Sequence, residues 1–172
     1  MSQVIVYRRA DGGTSVVHPG NRKSLSFDAE SIWLAWLSDQ GVVSGTEDVL
    51  DAKWLDYIRF KDVPADASEV RIVDAVDIPT DRTFRGALNP DCSHDMAKAR
   101  AIWADKMRAA RAPKLAALDV AFMRAVEAGD LAAQAAIAAQ KQALRDVPAD
   151  PAIETATTCT ALKAVWPAAL RD

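Results

Sequence analysis

Lys114-Leu-Ala-Ala-Leu-Asp-Val-Ala-Phe-Met-Arg-Ala-Val-Glu-Ala-Gly-Asp-Leu-Ala-Ala-Gln-Ala-Ala-Ile-Ala-Ala-Gln-Lys-Gln-Ala-Leu-Arg-Asp-Val-Pro148 decides the architecture of the second half of this chain. Its first part sets Leu115, Leu118, Phe122 and Val126 three, four and four residues apart, the spacing of one apolar helix face. Gly129 then suits the left-handed position that ends a helix, and Asp130 is a favoured N-cap for the next. From Leu131 the pattern resumes to Asp146, with Ile137 and Leu144 seven apart, Lys141 and Arg145 in the last turn, and Pro148 as terminator. Two helices joined by so short a link must be neighbours. The stretch therefore predicts an antiparallel helical hairpin over 114–146, with its apex at Gly129-Asp130.

Upstream, Ser93 is a possible cap for a helix from about His94 that carries Met96, Ile102, Trp103 and Met107. Pro113 lacks a backbone donor and is expected to kink or break that helix. Lys98, Arg100, Lys106, Arg108, Arg111 and Lys114 read as a solvated face because acids are interspersed; an acidic protein partner is the second reading. Ala132 through Ala139 is alanine but for Gln134 and Ile137. Small side chains bury little apolar area, so this face is expected to pack on the first half of the chain, on a second copy, or on another protein.

The first half differs in kind. Val4 to Arg9 is β-branched and aromatic, Asp11-Gly-Gly13 supplies turn chemistry, and Thr14 to His18 is the returning strand. Ser26 caps a helix from about Phe27 to Ser38, with Gly41 after its end; Thr46 caps a second from Glu47 to Phe60. Val70 to Val76 joins the hairpin as a third strand. Trp33, Trp36 and Trp54, at helical spacing beside Leu37, Leu50 and Ile58, are expected in the core of this module. The fold class is α+β: an N-terminal β-hairpin and helix module over 1–88, turn chemistry at Leu88-Asn-Pro-Asp-Cys-Ser93, and an all-helical module over 93–172.

Charge and composition exclude several functions. The 172 residues are 50% hydrophobic, with 21 basic and 24 acidic side chains and a net charge of −3. Mean hydropathy is −0.06. A basic excess, the usual footprint of nucleic-acid binding, is lacking. No uncharged apolar run reaches membrane-spanning length, and the first residues lack the apolar core of a signal peptide. Neither a phosphate-binding glycine loop nor a nucleophile elbow occurs. Cys92 and Cys159 are too few for a disulfide framework, and whether they pair is open. Asp91-Cys-Ser-His-Asp95 is the densest cluster of reactive groups, so an enzyme using Cys92 and His94 is one alternative. Yet no further zinc ligands stand at suitable spacing, no group orients the pair, and helix capping accounts for Ser93 and Asp95. No catalytic, metal or cofactor residue is assigned.

The run from Leu115 to Asp119 through the hairpin to Lys141-Gln-Ala-Leu-Arg-Asp-Val-Pro148, with Trp166-Pro167 near the C-terminus, resembles the small tail-assembly chaperones, or tail-fibre assembly proteins, of tailed bacteriophages. Arg71-Ile-Val-Asp74 followed by Ile78-Pro-Thr-Asp-Arg-Thr-Phe-Arg85 is similar to a segment of uncharacterised proteins encoded among phage and prophage tail genes. Phe84-Arg-Gly-Ala-Leu88 departs from that pattern, in which an aromatic usually follows. The resemblance implies a non-catalytic role in tail morphogenesis in the host cytoplasm, a tail or tail-fibre protein as partner, and no cofactor. Retention in the virion as a baseplate, fibre-attachment or decoration subunit is the alternative. Leu115, Leu118, Phe122, Leu144, Arg145, Trp166 and Pro167 are the candidate partner-binding residues. Trp166 has two readings: an aromatic anchor for the partner, or a side chain that folds back to close the chain's own core.

Overall fold

The computed structural model describes residues 2–171, and the chain forms two compact units, Met1–Ser93 and His94–Asp172. The first is α+β. Strands β1 (Gln3–Arg8), β2 (Thr14–Val17) and β3 (Ser68–Asp74) make an antiparallel sheet in the order β2-β1-β3. The hairpin closes through Arg9 N donating to Gly13 O at 2.7 Å and Gly12 N donating to Arg9 O at 2.9 Å. Gly12 takes φ +78°, which a side chain would resist. The sequence sets β3 two residues late: Ala75 N donates to Ser2 O at the end of the ladder, and Ala75–Asp77 turns into a 3-10 helix. Val76 is therefore exposed instead of paired.

Both faces of β1 are covered, since Val4, Ile5 and Val6 are all fully buried. Ile5 packs with residues of helices α1 (Phe27–Asp39) and α2 (Glu47–Asp62): Trp33, Leu37, Trp54, Tyr57 and Ile58. Trp33 meets Trp54 edge-on at 5.2 Å, and the Trp54 indole donates to Gly20 O at 2.8 Å. Trp36 is half-buried, stacked on Trp33. Val4 and Val6 point to the opposite face. Phe84, Ala87 and Pro90, also buried, come from the segment that runs back to the sheet, where Thr14 Oγ1 donates to Leu88 O at 2.5 Å. Ser26 caps α1 as its sequence suggests, whereas the Thr46 side chain makes no capping bond to α2.

The second unit is helical: α3 (Met96–Glu127), α4 (Leu131–Asp146), then the short α5 (Pro151–Thr155) and α6 (Cys159–Ala164). Two expectations fail at α3. Its cap is Asp95, whose carboxylate accepts from Ala97 N and Lys98 N, so the helix starts after His94, and Ser93 belongs to the preceding turn. The helix also continues through Pro113 without a break. Pro113 and Ala109, whose carbonyl loses its donor, are both exposed, so water can serve the orphaned acceptor and the helix pays mainly in propensity. The hairpin apex is as the sequence has it: Gly129 sits at φ +67° and Asp130 accepts from Ala133 N at 2.9 Å.

Candidate functional site

The helical unit is closed by its own C-terminal return. Trp103, Met107, Ile153, Leu162 and Leu170 are buried in it, and between Arg108 and Ala143 only Ala125 is buried. The return and the end of α4 are fastened by side chains of α3 that donate to backbone carbonyls. Arg100 Nη2 reaches Ala156 O at 3.0 Å, Trp103 Nε1 reaches Val165 O at 3.0 Å, Arg111 Nη1 reaches Arg145 O at 2.5 Å, and Lys114 Nζ reaches Arg171 O at 2.9 Å. This corrects the solvated-face reading for Arg100, Arg111 and Lys114, which are half-buried on the packing side of α3; Lys98, Lys106 and Arg108 are exposed. At about 100° per residue the two classes fall on different faces of the helix, and charge type alone does not reveal it.

Beyond this closed part, α3 and α4 form an arm. At 1.5 Å per residue α3 is about 48 Å long, and its distal part pairs with α4 through a few polar and aromatic contacts. Lys141 Nζ lies 2.5 Å from Asp119 Oδ1 and 5.2 Å from the Phe122 ring centroid, and Gln134 Nε2 donates to Ala125 O at 3.2 Å. The partners descend along one helix as they rise along the other, which fixes the antiparallel sense. Two helices cannot shield all their apolar side chains, and Val120, Met123, Val126 and Leu131 stay exposed, Leu131 to 76%. The spacing of Val126 places it on the buried face; in the structure Ala125 occupies that place.

The nominated partner-binding residues divide accordingly. Leu115, Leu118 and Phe122 are half-buried along the arm, Leu144 is buried, and Arg145 is exposed while its carbonyl receives Arg111. Trp166 folds back: its ring stands edge-on to Trp103 at 5.0 Å, and it is half-buried, as is Pro167. With Leu170 and Arg171 it forms one wall of an open cleft of about 680 Å³, whose other wall is the α3 face of Ala110, Pro113, Lys114 and Ala117. The exposed residues Val120, Met123 and Leu131 stand outside that candidate set. Their signal was a count: more large apolar side chains than two helices can bury.

The Asp91 to Asp95 stretch is built as a turn. Asp91 Oδ1 accepts from Ser93 N at 3.0 Å and from Ser93 Oγ at 2.5 Å, Asn89 N donates to Ser93 O, and Cys92 takes φ +66°. Burial, then the neighbouring Asp77 and Asp91 carboxylates, push the Cys92 thiol above its ordinary pKa. That is the reverse of the shift that makes a nucleophilic thiolate. Among the described residues no group of His, Cys, Asp and Glu is gathered as a metal would require, and no helix is long and apolar enough to cross a membrane. Compared with family models, curated proteins and solved structures, the chain matches none.

Proposed function

We propose that this chain is a non-catalytic tail morphogenesis protein of a tailed bacteriophage, which holds a tail or tail-fibre polypeptide through the arm of its helical unit during assembly in the host cytoplasm. The observation that carries the binding role is the arm itself: a helical pair with Ala125 as its one buried residue from Arg108 to Ala143, and Val120, Met123 and Leu131 left in water. Apolar surface so placed marks an interaction site. The class of partner comes from the resemblance carried by Lys141 to Pro148 and Trp166-Pro167. No cofactor enters the role.

The test is co-expression with the neighbouring tail proteins, comparing the native chain with Met123→Glu/Leu131→Glu. Both side chains are exposed, so the double variant folds, as circular dichroism will verify. The native chain is expected to co-purify with a tail or tail-fibre protein and the variant to lose it. Undiminished capture by the folded variant overturns the arm as the site, and failure of the native chain to capture any tail protein overturns the function. Mass spectrometry of finished particles then separates a departing chaperone from a resident virion subunit.

A further inference from the structure

The closed part of the helical unit leaves a buried donor without an acceptor. Arg100 is half-buried on α3, and among the described residues its guanidinium makes one bond, from Nη2 to Ala156 O at 3.0 Å. Its Nε is buried and has no partner. The acids nearest to it along α3 are engaged elsewhere, Asp95 with Lys98 and Asp105 with Arg108. A guanidinium carries five donors and no acceptor, and buried polar atoms in folded proteins are rarely left unserved. Against Arg100 lies a cleft of about 330 Å³, walled by Ala101 and Ala104 of α3 and by Pro148 and Ile153. Arg108 and Glu154, both exposed, stand at its mouth.

We infer that this cleft binds a carboxylate carried on a short aliphatic stem, borne by a glutamate side chain or by a small free acid, with Arg100 as the residue that holds it. A carboxylate accepts two guanidinium donors side by side, and a turn about the last bonds of the Arg100 side chain presents Nε together with its neighbour. The alanine, proline and isoleucine walls suit methylene groups and offer no competing side-chain donor. Two lining residues are cationic and one is acidic, so the lining favours an anion. Glu154 repels a dianion more than a monoanion, which selects carboxylate over phosphate. It also competes with the ligand for the same guanidinium. One charge-assisted fork and a short stem support binding in the millimolar range when the acid is free.

The inference stands apart from the arm and its partner. It is tested on the full chain by nitrogen-15 NMR, following the Arg100 Nε–H and the amides of Ala101 and Ala104 at constant ionic strength set with chloride. Butyrate is expected to shift all three saturably, and butyramide, its neutral counterpart, to leave them unmoved. N-acetyl-glutamate α-amide, with the glutamine compound as its control, tests the side-chain source: a response matching that of butyrate assigns the site to a partner's glutamate, and a response to butyrate alone assigns it to a free acid. Glu154→Gln, at an exposed position, should tighten binding by about threefold, the scale of one exposed charge pair. Arg100→Met should abolish the response of the two alanine amides. No saturable response to either acid, or an equal response to the amides, overturns the site. Tighter binding of inorganic phosphate than of butyrate overturns the carboxylate class. An affinity unmoved by Glu154→Gln shows that the anion sits elsewhere, and this variant keeps the inference falsifiable where Arg100→Met loosens the return.

Discussion

Replacing Pro113 by alanine should make the helical unit more stable, by an amount set by three terms. Inside a helix proline is about 3 kcal/mol less favourable than alanine. Against this, proline restricts the unfolded chain, and its loss returns about 0.4–1 kcal/mol of unfolded-state freedom. The third term is the ring's contribution to the cleft wall opposite Trp166; it is small at about 25 cal/mol per Å², because Pro113 is exposed. Restoring the donor to Ala109 O gains little on its own, since that carbonyl belongs to an exposed residue. The net expectation is a stabilisation of about 2 kcal/mol, which for a unit of this size raises its melting temperature by roughly 8–16 °C. Native-state hydrogen exchange at Met107 and Leu144, inside the closed part, reports that unit directly. Slower exchange by tenfold or more, at about 1.4 kcal/mol per factor of ten, agrees with the reasoning. Unchanged or faster exchange refutes it and makes the proline ring a structural member of the cleft.

Three further outcomes follow from named residues. Leu162→Ala removes a fully buried side chain from the C-terminal return and should cost about 2–5 kcal/mol, read from a urea midpoint; a loss under 1 kcal/mol would contradict the role of the return in closing the unit, in a range where such changes are resolved. Cys92→Gly relieves a left-handed backbone and should stabilise by about 1 kcal/mol, and in the native chain this thiol should alkylate more slowly at neutral pH than a free cysteine because its pKa is raised; fast alkylation of Cys92, identified by peptide mapping, counts against that environment. Glu47, Glu69 and Asp91 are held below their ordinary pKa values, chiefly by hydrogen bonds from Lys23, Arg8 and Ser93 respectively, so the stability they lend is present above the unfolded carboxylate pKa and lost as pH falls through their lower folded values. Tryptophan fluorescence during acid titration should show the first unit weakening below about pH 4.5, and an acid-insensitive midpoint in urea would argue that these bonds contribute nothing.

Local chemistry made much of the fold legible. Asp11-Gly-Gly13, Ser26, Gly41 and Gly129-Asp130 each act in the structure as turn, cap or stop, because their backbone preferences are satisfied by neighbours in sequence. Failures arose where tertiary surroundings decide. Pro113 reads as a breaker only until its exposure is known, and β3 ends at Asp74 because the partner strand runs out, a fact located seventy residues away. The site was legible in part. The spacing of Leu115, Leu118 and Phe122 places them along the arm, but no periodicity distinguishes Ala125 buried from Val126 exposed. Trp166 left two readings open from sequence, and only the position of Trp103 shows that its ring turns inward.

Arg100, Trp103 and Lys114 fasten the returning chain, and Arg111 the end of α4, by carbonyl oxygens that every residue at positions 156, 165, 171 and 145 carries. The donors are concentrated on one helix, while the acceptors are indifferent to side-chain identity. Closure therefore constrains the helix at four positions and leaves the exposed positions of the returning segment free to drift between its buried anchors, Ile153, Ala156, Leu162 and Leu170. A lineage under pressure to change the exposed surface of that segment can do so residue by residue without reopening the unit, whereas substitution of one of the four donors releases a carbonyl that no change in the segment's own side chains can re-engage in the same way.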